Sequence, residues 1–144
     1  HRSSLARWLN TAGAVAFLGH VACAFHFHHQ WSHSVAYSDT AKQTAELVGW
    51  NSGIGLYLNY CFTVLWLGEV IWCWMAPTSH ARRNQWLSRI IRGFFFFMIF
   101  NGAVVFVRGP IRWLGLIICL TLVVCWWRSW RRNEITTERV HRNP

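Results

Sequence analysis

Residues 8–29 read WLNTAGAVAFLGHVACAFHFHH, twenty-two positions without one Asp, Glu, Lys or Arg. A membrane-crossing helix needs about twenty mostly apolar residues, so this stretch by itself points to a bilayer. Three more stretches approach or meet that length, at about 53–75, 90–107 and 111–127. Pro77 ends the second of them, and Gly109–Pro110 is a tight reversal between the last two, which predicts an antiparallel hairpin there. The expected fold is all-α, an integral membrane bundle of four transmembrane helices within residues 1–132. A polar cytoplasmic tail, helical or disordered, follows over 133–144.

Composition points the same way. Hydrophobic residues make up 53% of the chain and charged residues 13%, about half the ~25% of a soluble domain. The net charge of +9 would suggest nucleic acid in a soluble protein. Here the arginines flank apolar spans, so topology accounts for them and no basic face remains for a nucleic acid. The partners implied are the lipid bilayer and other membrane subunits. All five cysteines lie within the apolar spans and no CxxC occurs, so they read as packing residues. Residues 8–29 are too long for the apolar core of a signal peptide and read as a retained span.

Direction follows from the basic residues. Arg2 and Arg7 precede the first span. Arg82, Arg83, Arg89 and Arg92 separate the second from the third. Arg128, Arg131, Arg132, Arg139 and Arg142 follow the fourth, against only Lys42, Arg108 and Arg112 on the other side. Both termini are expected in the cytoplasm, in a bacterial inner membrane, with the loop over 30–52 outside. Within that loop SDTAKQTAEL offers a cap at Ser38, Asp39 or Thr40, predicting a short amphipathic helix on the outer surface. Trp66, Trp72 and Trp74 lie deep in the second span and read as packing or lipid contact.

Chemistry concentrates at one span end. His20, His26, His28, His29 and His33 are five of the eight histidines, and a membrane-embedded histidine needs a partner. On a regular helix, at about 100° per residue, His26, His29 and His33 share one face while His28 points nearly opposite. Their spacing predicts a transition-metal site on His29 and His33, or on His26 and His29, completed by Asp39, Glu46 or Tyr37 of the loop or by another subunit. Small residues one turn before His20 and His26 (Ala16, Ala22) suit a tetrapyrrole instead, haem or chlorophyll, with either imidazole as axial ligand. The third reading is a hydrated histidine patch that contacts neighbouring chains or headgroups. The pair His28–His29 and the spacing His29–His33 resemble a histidine box of the membrane di-iron hydroxylases and desaturases. That chemistry draws its ligands from several boxes, whereas only His1, His80 and His141 lie elsewhere.

Two polar residues stand inside other spans. Glu69 is expected to meet an arginine snorkelling from Arg89 or Arg92, in a structural role rather than as a proton carrier. Asn101 lies near the depth of His20, and a hydrogen bond between them would satisfy both. No complete catalytic set is present. The function expected is an accessory subunit of a larger respiratory or photosynthetic membrane complex. The alternative is a redox or metal-handling protein that binds a transition metal or tetrapyrrole through its histidines.

Overall fold

In a computed structural model the described residues are 2–107 and 109–142, with side chains described over 4–107 and 109–128. The elements are α1 (Arg2–Phe27), α2 (His33–Val48), α3 (Ile54–Met75), α4 (Pro77–Ala81), α5 (Gln85–Phe100), a π-helical turn (Asn101–Val105) and α6 (Ile111–Arg142). Among the described residues there is no strand. Four helices, Ser4–Phe27, Ile54–Met75, Gln85–Val105 and Ile111–Arg128, are long and apolar enough to cross a membrane. They correspond to the four expected stretches, with shifted ends. The third starts five residues early because Asn84 caps it, its side chain accepting from the Trp86 amide at 2.9 Å. The expected tail is helical through Arg142, while Asn143 and Pro144 lie outside the described residues.

The chain divides into two compact units, His1–Phe95 and Phe96–Pro144. In the first, α1 and α3 pack through aromatic rings against small residues. Phe17 meets Phe62 edge-on at 5.0 Å and stacks on Trp66 at 5.5 Å. Trp66 in turn lies so close to Gly13 that a Cβ there would sit 3.1 Å from the ring. An indole N–H within an apolar span needs a partner. Trp66 Nε1 donates to Asn10 Oδ1 at 3.0 Å, and Trp74 Nε1 to Thr11 Oγ1 at 2.9 Å. The deep tryptophans Trp66 and Trp74 thus lock α3 to α1. Phe95, in α5, closes on Phe62 and Trp66 at 4.9 and 5.3 Å.

The amphipathic helix expected in the loop exists as α2, but it begins earlier than the cap candidates Ser38, Asp39 and Thr40. Ser32 is the cap, in extended conformation, accepting from the Val35 amide at 3.4 Å. Its buried face carries Ala36, Thr40, Ala41 and Thr44, at the i, i+4, i+5, i+8 spacing of one helical side. Both threonine hydroxyls donate to carbonyls of α2 itself, at 2.8 Å. That face therefore presents only methyl groups to α3, and Thr40 Cγ2 would touch a Cβ at Gly55 at 3.2 Å. Gly49 stops α2 in the left-handed region, φ 76°, where glycine carries no Cβ penalty.

In the second unit, Gly109 (φ 87°) and Pro110 make the expected reversal. The returning α6 then lies against the π turn. A Cβ on Gly115 would fall 2.2 Å from the Ala103 carbonyl oxygen, so only glycine allows this backbone approach. Val104 and Cys119 are buried beside it.

Candidate functional site

Two polar clusters stand at opposite ends of α3. The first is built by the end of α1, the turn over 28–32, α2 and the start of α3. Helix α1 ends at Phe27, not beyond His29. The Trp31 amide bonds the Phe25 carbonyl at 3.0 Å while Gln30 and Trp31 take positive φ, 49° and 59°. That amide reaches back six residues, and the chain leaves the helix through two left-handed residues, neither of them the usual glycine. The turn takes His29 and His33 off a common helix, so the one-face geometry expected for His26, His29 and His33 does not occur. His28 likewise lies past the helix, and the wheel that pointed it away no longer applies.

Each of the two inner histidines of this cluster has a protein partner. His29 Nδ1 lies 3.2 Å from Asp39 Oδ2. An ionised carboxylate only accepts, so Nδ1 donates and the lone pair of a neutral ring sits on Nε2. The pair is half-shielded, with the His29 side chain 19% exposed and Asp39 35%. Lys42 Nζ stands 3.9 Å from the other Asp39 oxygen. His33 lies between two phenols, with Nδ1 3.1 Å from the Tyr60 hydroxyl and Nε2 3.5 Å from that of Tyr57. A neutral imidazole donates through one nitrogen and accepts through the other, and either phenol can take the complementary role. Tyr37 packs edge-on to Tyr57 at 6.1 Å, and its ring fills the space a Cβ on Gly53 would need, at 2.6 Å.

Of the proposed supplementary ligands, Asp39 does reach a histidine, while Tyr37 is used in ring packing. His20 and His26 are both exposed on α1, and the His26 ring meets Phe27 edge-on at 4.8 Å. Among the described residues no three His, Cys, Asp or Glu side chains gather as a metal-binding group.

The second cluster surrounds Glu69. Arg83 Nη1 donates to both carboxylate oxygens, at 2.6 and 2.5 Å, and both side chains are 11% exposed. His80 Nε2 adds a contact at 3.2 Å and lays its ring edge-on to Trp72 at 5.5 Å. Arg83 Nε donates to Ser88 Oγ at 2.7 Å, which ties the cluster to α5. The arginine is Arg83, not Arg89 or Arg92. Pro77 breaks α3, and the single turn of α4 folds the chain back so that His80 and Arg83 return to a carboxylate they follow by 11 and 14 residues. Asn101 donates to the Phe97 carbonyl of its own helix at 2.7 Å.

Sequence reasoning missed Tyr57, Tyr60, His80 and Arg83. The tyrosines had a signal, two phenols three residues apart at the start of a span. The proline just before His80 was read as a stop, when it also starts a one-turn return. Comparison with family models, with curated proteins and with solved structures found no match to this chain.

Proposed function

We propose that this chain is an accessory subunit of a larger membrane assembly of the respiratory or photosynthetic kind. It would sit in a bacterial inner membrane with both termini cytoplasmic and the His29–Tyr60 cluster outside. The observation that carries this is His20. Its imidazole lies seven residues, about 10 Å, inside the end of α1 and is exposed, on a side that also exposes Ala12, Ala16, Gly19 and Cys23. Ionisable side chains within a bilayer face protein or water rather than lipid. Small residues are what let a second helix approach closely in a membrane.

The spans also pack sparsely within the chain. Only 6–11% of the residues in each most apolar window are buried. The histidine and tyrosine cluster fits a subunit role, because its hydrogen bonds fix the loop onto the spans and give neighbours a defined surface. The Arg-rich turn after α3 fits the cytoplasmic side.

The test is native-gel size after mild detergent extraction from the source membrane. The tagged chain should migrate in a species several times its mass. Gly19→Leu and His20→Leu should each release it as a monomer while leaving its helix content unchanged. A wild-type chain that runs as a monomer, under extraction that preserves other complexes of that membrane, overturns the reading.

A further inference from the structure

We propose that His28 and His29 form a two-coordinate site for Cu(I), with Asp39 as its positioning residue. Three independent observations lead to it. First, the carboxylate of Asp39 on His29 Nδ1 is the arrangement that orients metal-binding histidines. It fixes the tautomer, aims the remaining nitrogen and raises its basicity. Second, the two rings have the right separation. An imidazole bound at about 2.0–2.1 Å has its centroid about 3.2 Å from the ion, so two such rings stand about 5.2 Å apart at a tetrahedral angle and about 6.4 Å apart when collinear. The His28 and His29 centroids are 6.4 Å apart with their ring planes at 57°, a separation that admits one ion between two opposed nitrogens.

Third, the turn that holds them is strained. Gln30 and Trp31 occupy the left-handed region without being glycine, a conformation that costs side-chain-bearing residues free energy. A helix end closed by glycine would avoid that cost, and such strain concentrates where a side-chain arrangement is needed for ligand binding.

The ligand count selects the ion. No third His, Cys, Asp or Glu joins the pair among the described residues. Zinc takes four ligands in its structural sites and three protein ligands plus water in its catalytic ones. Cu(I), a filled-shell ion that imidazole suits, is stable between two collinear nitrogens. His33 is excluded because both of its nitrogens face tyrosine hydroxyls. The site concerns the isolated chain and does not depend on membership of an assembly.

The experiment is anaerobic titration of the purified chain with Cu(I) against the chromophoric chelator bicinchoninate, with X-ray absorption of the loaded protein. One equivalent should bind, with two nitrogen neighbours and no sulfur. His28→Ala and His29→Ala should each abolish stoichiometric binding, and Asp39→Asn should weaken it roughly 10–100-fold. His33→Phe and Cys23→Ser should retain it, and Zn(II) should not compete. His28 is exposed, so its variant tests the site without disturbing packing, and circular dichroism checks the helix content of every variant. A sulfur neighbour, unchanged binding in His28→Ala, or equal affinity for Zn(II) overturns the proposal.

Discussion

A carboxylate six residues, about 9 Å, inside the end of an apolar helix is tolerable only if its charge is matched. Glu69 achieves this with both oxygens on Arg83 and a third contact from His80. Removing one partner of a pair this well shielded, 11% exposed on both sides, strands the other at a cost approaching the ~3–5 kcal/mol of a fully buried pair. Glu69→Leu should therefore lower the thermal midpoint in detergent far more than Glu69→Gln, which keeps an acceptor for Arg83. The double change Glu69→Leu with Arg83→Leu should recover much of the loss, because no unpaired charge remains. If Leu and Gln variants melt together, the pair holds nothing in place. From sequence, the need for an arginine at Glu69 was legible and its identity was not. Any of several arginines lay within reach, and the one-turn return after Pro77 selected Arg83.

At the scale of elements, glycine marks the closest approaches. Gly53 admits the Tyr37 ring and Gly115 admits the Ala103 carbonyl. Gly115→Ala should force the π turn and α6 apart, costing about 1–3 kcal/mol as overpacking does. A fall in thermal midpoint checks this, and Gly102→Ala is the control, since a Cβ there meets nothing within 4 Å. Gly53→Ala should likewise displace Tyr37, read as faster proteolysis of the loop over 30–52. An unchanged cleavage rate would show that Tyr37 does not pin α2.

The helix α2 was legible because its composition favours helix, but its start was not. The sequence reading offers Ser38, Asp39 or Thr40 as the cap, and the chain uses Ser32 instead. The left-handed closure at Gln30 and Trp31 decides this by ending α1 early. No glycine or proline announces that closure, so a sequence-based helix runs on through His29 and carries the metal-site geometry with it.

For the whole molecule, the proposed topology places the Ser32–Ser34 turn and the Asn84 turn on opposite sides of the membrane. Single cysteines at Ser34 and Asn84, in a chain otherwise free of cysteine, distinguish the sides with a membrane-impermeant thiol reagent on intact cells. Only the cysteine at position 34 should react before lysis. Labelling at position 84 alone would invert the orientation. Either outcome leaves the helices unchanged, because span formation depends on length and hydropathy while direction depends on the placement of arginine.

The sequence by itself determined that the chain is helical, that four stretches could cross a membrane, where the Gly109–Pro110 reversal falls and that five histidines crowd into 20–33. These are properties of local composition and period, and a bilayer that leaves every backbone group to be satisfied within its own helix makes them decisive. Only the tertiary structure decided that Asp39 takes His29, that two tyrosines of α3 take His33 and that Arg83 rather than a later arginine takes Glu69. Those pairings span 10 to 27 residues. They depend on where two turns, one at Gln30–Trp31 with no glycine or proline to mark it and one after Pro77, redirect the chain. A one-residue change at either turn rotates every following side chain by about 100°, more than any reading of local pattern can resolve.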